Sequence, residues 1–153
     1  MHERNKNTHK LASPLPDIET IVHNVVTHPY HTLLDREDTY EQIFVMPEDV
    51  PKTLFTMPDG MIVSHVMQIS DCNAGMTYQS LMNHIFALYI GSFMDVYLDN
   101  IVIYLDMPEK HVKHVKTVID TLHVNKLYLS EHKLQFFMDE LCILGHIIDH
   151  EGV

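Results

Sequence analysis

The chain has 153 residues, enough for one domain with a sizeable core, and its 46% hydrophobic and 20% charged residues are an ordinary globular balance. Its net charge of −11, from 10 Lys and Arg against 21 Asp and Glu, disfavours a domain that binds nucleic acid through its own charge alone. No apolar run reaches the length of a membrane span, and the polar, basic start MHERNKNTHK is unlike a secretory signal. The sequence therefore predicts an intracellular protein, cytoplasmic or nuclear, that is not secreted and has no membrane partner.

The chain begins with a polar segment followed by a helix. Residues 1–12 lack an apolar pattern and are predicted to be a flexible tail. Pro16 suits the first turn of a helix, and Asp17 suits the positive end of its dipole. The apolar stripe at helical spacing that follows consists of Ile18, Ile21, Val22, Val25 and Val26.

Strand signals come next. The segment YHTLLD predicts a short strand that ends at Asp35, and strand-like pieces are predicted around 44–46 and 53–56. Asp59-Gly60 between apolar residues predicts the turn of a hairpin. A strand and a hairpin are therefore expected in this part of the chain.

The clearest helix is predicted at 74–90, because its apolar residues fall at helical spacing and Gly91 supplies a C-terminal stop. A hairpin at 93–105 follows, in the segment FMDVYLDNIVIYL. Asp99 and Asn100 interrupt its β-forming residues, and both tolerate the positive φ that a tight turn demands. An Asp-Asn pair alone predicts a turn and nothing more, unless a second carboxylate elsewhere can share a metal with Asp99.

A further helix is predicted from Pro108, with Val112, Val115, Ile119 and Leu122 facing inward. The pair His111-x-x-His114 on this helix has no third metal ligand at a recognisable spacing, so a solvated face is expected there. The last strands are predicted at 133–137 and 142–148. Helices mixed with antiparallel strands predict an α+β fold, an antiparallel sheet with helices packed on one face.

Six segments resemble, in order, the motifs of reverse transcriptases of fungal-like, gypsy-type LTR retrotransposons, which are mobile, integrating DNA elements. These segments are LLDREDTYEQI, VPKTLFTMPDG, NAGMTYQSLMNHIF, FMDVYLDNIVIY, HVKHVKTVIDTLHVNKLYLS and LGHIIDHEGV. The resemblance implies a right-hand polymerase palm with partial fingers at 13–153, ending in a hairpin like the family's primer grip. The thumb, connection and RNase H parts of the pol polyprotein are expected to lie outside this chain.

The resemblance also implies a catalytic site for RNA-directed DNA polymerisation. Asp35 and Asp99 match the carboxylates that hold two Mg²⁺ ions in the family, and Asn100 stands at the third catalytic position. Two such ions would clamp the attacking primer 3′ hydroxyl and the leaving oxygen of a nucleotide. Magnesium prefers hard oxygen ligands and keeps several waters, so a few carboxylates from separate strands suffice.

Further residues match family positions that bind substrates. By resemblance, Tyr40 is the aromatic gate beneath the sugar, although a core tyrosine is the plain alternative. Ser70, Gln79 and Tyr97 match positions near the nucleotide and the template. The positions that match the primer grip are Leu144, Gly145 and His146. The implied partners are an RNA or DNA template with its primer, deoxynucleotide triphosphates and the remainder of the polyprotein.

Two residues depart from the family pattern. Asn100 replaces the second Asp of the Tyr-x-Asp-Asp turn, and Ser70 replaces a Gly; either change is reachable by one G-to-A step. Three hypotheses follow: a working polymerase segment, a decayed pseudogene product, and a domesticated, non-catalytic binding module. The sequence favours a reverse transcriptase domain by descent that is inactive as this chain alone.

Overall fold

The computed structural model describes residues 2–12, 15–35, 38–130, 133–138, 141–143 and 145–148. The helices are α1 His2–Lys6, α2 Ile18–Val26, α3 Ala74–Ile85 and α4 Pro108–Val124, with a 3₁₀ helix at Val50–Thr53. The strands are β1 Tyr30–Asp35, β2 Phe55–Met57, β3 Gly60–Ile62, β4 Met94–Tyr97, β5 Asn100–Leu105, β6 Leu134–Met138, β7 Leu141–Ile143 and β8 His146–Ile148.

A four-stranded antiparallel sheet is the centre of the fold, with the strand order β4-β5-β1-β6. The pairs β2–β3 and β7–β8 form separate two-stranded sheets. The predicted hairpin at Asp59-Gly60 is confirmed, since it joins β2 to β3. The strand-like pieces expected at 44–46 and 53–56 differ from the observed strands. Phe44 forms an isolated bridge with Val66, and the 3₁₀ helix extends to Thr53, so β2 begins only at Phe55.

Helices α3 and α4 cover one face of this sheet. Side chains alternate between the faces of a strand, and Leu34, Ile101 and Ile103 point to the side where α3 and α4 contribute their apolar residues. The buried residues that the two helices add to this core are Ala74, Tyr78, Met82, Val115, Val118 and Leu122. This burial is the main source of stability, at about 25 cal/mol per Å² of apolar surface.

Helix α2 and the β7–β8 hairpin cover the opposite face. Leu33, Val102 and Tyr104 pack there against Ile21 and Val25 of α2 and against residues of the hairpin, which are Leu141, Ile143 and Ile148. The α+β fold with an antiparallel sheet is confirmed, but the helices are not confined to one face. The runs TLL and IVIY put apolar residues at both parities of β1 and β5, so both faces need cover.

Helix α4 begins at Pro108 as predicted, but its buried stripe is rotated. His111 is fully buried and Val112 is exposed, whereas the sequence predicted a solvated His111 and an inward Val112. The Thr32 hydroxyl, on the buried side of β1, hydrogen-bonds to His111 Nε2 at 2.7 Å. A buried polar partner therefore makes His111 an interior residue.

The N-terminal segment is packed against the body of the chain, unlike the flexible tail predicted for residues 1–12. The Asn5 amide donates to the carbonyl of Ser70 at 2.8 Å and accepts from the backbone N–H of Cys72 at 3.1 Å. Arg4 forms an ion pair with Asp71. In the part of the chain that the structure describes, each helix is too short or too polar to span a bilayer.

Candidate functional site

The tip of the β4–β5 hairpin meets the end of β1. Asp35 is paired with Asn100 across β1 and β5, and Tyr97 is paired with Asn100 across β4 and β5. The hairpin loop is therefore Leu98-Asp99, and Leu98 adopts a positive φ of 52°. The sequence placed this turn one residue too far along, at Asp99-Asn100, because it could not show which pair closes the hairpin.

Three oxygen-bearing residues lie at this end of the sheet: Asp35, Asp99 and Asn100, which we call the carboxylate end. Asp35 and Asn100 lie on the same face of the sheet, because cross-strand partners in register share a face. The Asn100 amide nitrogen donates to Asp99 Oδ1 at 3.3 Å. That bond leaves the amide oxygen of Asn100 as a group that can bind a cation.

Lys133 is a neighbour of the carboxylate end that the sequence did not suggest. Its Nζ lies 3.8 Å from Asp35 Oδ2, and the two side chains are 41% and 35% exposed. An ion pair with this exposure is weak in water. Lys133 precedes β6, and only the pairing of β6 with β1 brings it close to Asp35.

Tyr40 lies beside the turn. Burial raises the pKa of its phenol, and the negative charge of Asp99 raises that pKa further. Its ring meets the buried ring of Tyr78 edge-on, with the centroids 5.9 Å apart. Tyr40 is therefore held between the core and the carboxylate end, which suits both the core role and the substrate role considered for it.

Gln79 is fully buried and holds the hairpin. Its amide nitrogen donates to the carbonyl of Val96 at 3.0 Å, and its amide oxygen accepts from the backbone N–H of Leu98 at 2.7 Å. Tyr97 is partly buried and packs against the core beneath α2. The structure thus joins Gln79 and Tyr97 to the turn that carries Asp99.

The other predicted site residues are less closely tied to this end. Ser70 is exposed, and its carbonyl accepts the hydrogen bond from Asn5. Gly145 has a φ of 84° in the β7–β8 turn, where Ile143 pairs with His146. A positive φ is the conformation that glycine adopts without strain. Leu144 lies outside the described residues.

The oxygen donors of the carboxylate end are of the kind that Mg²⁺ prefers. Within the described part of the chain, no group of three His, Cys, Asp or Glu side chains could hold a metal. The carboxylate end offers two carboxylates and one amide oxygen. Mg²⁺ binds proteins through one or two carboxylates and keeps several waters, so the residues fit such an ion with less negative charge than three carboxylates would supply.

A second polar group is buried under α2. The Asp95 carboxylate accepts from the Tyr104 hydroxyl and from the Asn24 amide, each at 2.9 Å. Burial, and then the charge of Asp95, raise the pKa of Tyr104. These bonds tie β4 to β5 and α2. The only sign of them in the sequence is a polar residue inside an apolar strand.

The chain is similar to known proteins over most of its length. The chain matches the family model described as reverse transcriptase (RNA-dependent DNA polymerase) over residues 2–148. It is 28% identical over 139 residues to the retrovirus-related Pol polyprotein from transposon gypsy of Drosophila melanogaster, a match that covers 91% of this chain and 13% of that relative. It is 30% identical over 139 residues to the Tf2-7 polyprotein of Schizosaccharomyces pombe, covering 91% of this chain and 10% of that relative.

Solved structures share the fold. The foamy viral protease-reverse transcriptase in complex with dsDNA superimposes with a TM-score of 0.87 at 19% identity, covering 97% of this chain and 31% of that chain. The same viral protein in complex with an RNA/DNA hybrid gives a TM-score of 0.84 at 18% identity, covering 95% and 20%. The chain therefore spans less than a third of these relatives.

Proposed function

This chain belongs to the reverse transcriptase (RNA-dependent DNA polymerase) family, and we propose that its carboxylate end is a site of nucleotidyl transfer to a primer 3′ hydroxyl. The observation that carries the proposal is the pairing of Asp35 with Asn100, the residue next to Asp99. Two strands and one turn thereby place three oxygen-bearing residues at the same end of the sheet. The proposed substrates are deoxynucleotide triphosphates on an RNA or DNA template, and the chain would act as one part of a pol polyprotein.

Asp35 and Asp99 are the proposed ligands of Mg²⁺, with the amide oxygen of Asn100 as a neutral third donor. When bound, such ions stabilise the attacking and leaving oxygens of a phosphoryl transfer. Tyr40 would limit the space beneath the sugar, which its position beside Asp99 supports. Lys133 would offset part of the charge of Asp35 before a metal binds.

Asn100 is expected to weaken this site. Two unit charges about 4 Å apart at an effective dielectric of about 20 interact by about 4 kcal/mol, and a divalent ion roughly doubles this. Water and local rearrangement compensate for part of the missing charge. A remaining loss of about 3 kcal/mol would slow the chemical step by roughly a hundredfold.

The neutral Asn100 also favours a second candidate function. A chain descended from a polymerase that no longer catalyses the reaction would be a decayed product or a domesticated binding module. The fold needs no change for that role, because Asn100 joins the sheet through its backbone, which is the same for Asn as for Asp. Catalysis therefore separates the two candidates, whereas folding does not.

The test is to graft residues 2–148 into a complete, active relative and to measure primer extension with Mg²⁺. The graft begins at residue 2 because the N-terminal segment binds the loop at Ser70. Four forms are compared: unmodified, Asn100→Asp, Ser70→Gly, and both changes together, with Asp35→Asn as the inactive control. We expect weak extension by the unmodified graft and recovery chiefly with Asn100→Asp.

Three outcomes are distinct. Recovery with Asn100→Asp supports a site that lost one ligand. Strong extension by the unmodified graft would show that Asn100 is a competent ligand. If the double variant extends primers no better than the Asp35→Asn control, the catalytic proposal is wrong and the non-catalytic candidate stands.

A further inference from the structure

Strand β4 is an edge of the sheet, and its outer backbone groups need partners. The strand order is β4-β5-β1-β6, so β4 has a strand on one side only. Tyr97 closes the hairpin with Asn100. The N–H and C=O of successive residues in a strand point to alternate sides, and those of Tyr97 face β5. The carbonyl of Val96 and the N–H of Leu98 therefore point away from β5. An edge strand leaves such groups unpaired unless something covers them.

One side chain satisfies both groups. Gln79 Nε2 donates to the carbonyl of Val96 at 3.0 Å, and the N–H of Leu98 donates to Gln79 Oε1 at 2.7 Å. The side-chain amide thus supplies the donor and the acceptor that the backbone of a further strand would otherwise supply. Gln79 Nε2 also donates to Asn83 Oδ1 at 2.9 Å, one turn later on α3. Both amide hydrogens are therefore engaged.

Helix α3 approaches the turn closely at a second point. A Cβ built on Gly75 would lie 3.4 Å from Cδ2 of Leu98. Leu98 holds a φ of 52°, a conformation that residues other than Gly, Asn and Asp adopt with strain. The turn that carries Asp99 is therefore kept in an unfavoured conformation next to a helix that binds its backbone.

We propose that Gln79 is a positioning residue, which fixes the Leu98-Asp99 turn and thereby the direction in which the Asp99 carboxylate meets Asp35 and a divalent cation. A substrate contact is a poor alternative, because the Gln79 side chain is fully buried and its amide is engaged by protein groups. The inference deepens the proposed function and rests on the metal site proposed there. It reassigns Gln79, whose family position suggested proximity to the template and nucleotide.

The experiment uses the full 153-residue chain and the near-isosteric variant Gln79→Met, which keeps the volume and removes the amide. Hydrogen exchange of the Leu98 amide is measured without metal by NMR. Mn²⁺ binding is measured from the EPR signal of the free ion, with Asp35→Ala to identify binding at the carboxylate end. We expect Leu98 to exchange at least about tenfold faster and Mn²⁺ affinity to fall by about 10- to 100-fold, the usual effect of removing a group that orients a ligand.

Two controls separate positioning from general destabilisation. Val118→Ala removes buried volume from α4, and should lower the thermal midpoint without changing Mn²⁺ affinity. Asn83→Ala removes the side chain that accepts from Gln79 but leaves both bonds between Gln79 and the hairpin in place. This variant should change Mn²⁺ affinity by less than about threefold, which is well short of the loss expected from Gln79→Met.

The outcomes distinguish the two proposals. If the unmodified chain binds Mn²⁺ through Asp35 and Gln79→Met binds it equally well, the positioning role is wrong and the metal site stands. The positioning role is also wrong if Val118→Ala weakens Mn²⁺ binding as much as Gln79→Met does. If the unmodified chain shows no binding that depends on Asp35, the proposed metal site is wrong and the positioning role falls with it.

Discussion

Mild acid should destabilise this fold through His111. Burial lowers the pKa of this imidazole from its ordinary 6.5 to about 4, and the neighbouring His31 and His114 add to the effect when they are charged. The folded chain therefore keeps His111 neutral at a pH where the unfolded chain protonates it. Between pH 6.5 and 4 the unfolded state binds more protons, so stability falls as the pH falls.

The size of the effect follows from the two pKa values. The pKa of His111 is about 4 in the folded chain and about 6.5 in the unfolded chain, a difference of about 2.5. Below pH 4 this difference lowers the free energy of unfolding by about 3.4 kcal/mol. At pH 5 the same two values give a loss of about 2 kcal/mol relative to pH 7. The Nδ1 atom of His111 has no hydrogen-bond partner among the described residues, so a proton added there would be buried without a partner.

The assay is urea unfolding followed by circular dichroism at pH 7, 6 and 5. Because other histidines also titrate, the informative quantity is the difference in pH dependence between the unmodified chain and His111→Leu. We expect the unmodified chain to lose about 2 kcal/mol more than the variant between pH 7 and 5. His84→Gln, at an exposed histidine, is the control and should behave as the unmodified chain. Equal pH dependence of the unmodified chain and His111→Leu would refute the reasoning.

Two further predictions concern polar contacts. Tyr104→Phe should lower the free energy of unfolding by about 1–2 kcal/mol in urea unfolding, because the buried Asp95 carboxylate loses one of its two donors; an unchanged midpoint would show that water replaces the hydroxyl. Lys133→Met should change stability by less than about 1 kcal/mol, because its pair with Asp35 is partly exposed. The same variant should tighten Mn²⁺ binding in the EPR assay, since a competing cation is removed, and weaker binding would count against that role.

Local patterns were sufficient for much of the fold. The strand that ends at Asp35, the hairpin at 93–105 and the helix that starts at Pro108 are confirmed. These elements depend on periodicity and on turn and cap residues within a few positions, which a sequence displays directly. The ordered motifs also indicated the reverse transcriptase family, which the family match over residues 2–148 confirms.

The register of the β4–β5 hairpin was decided only in the folded structure. The sequence placed the turn at Asp99-Asn100, whereas the pairing of Tyr97 with Asn100 puts Leu98-Asp99 in the loop. The pattern of apolar and polar residues fits both turns equally well, so it cannot reveal a register shift of one residue. That shift changes which residue lies in the strand and which lies in the loop. The metal-binding roles of Asp35 and Asp99 stay predictions, although the register brings them to one end of the sheet.

The sequence also could not show which polar residues are buried. His111 and Gln79 lie inside the protein because each finds a partner on another element, Thr32 on β1 and the backbone of the β4–β5 hairpin. Polarity alone predicts exposure for such residues, and only a satisfied hydrogen bond makes their burial favourable. The sequence by itself therefore determined the secondary elements and the family. The tertiary structure decided which polar groups meet, because those bonds join residues far apart in the chain.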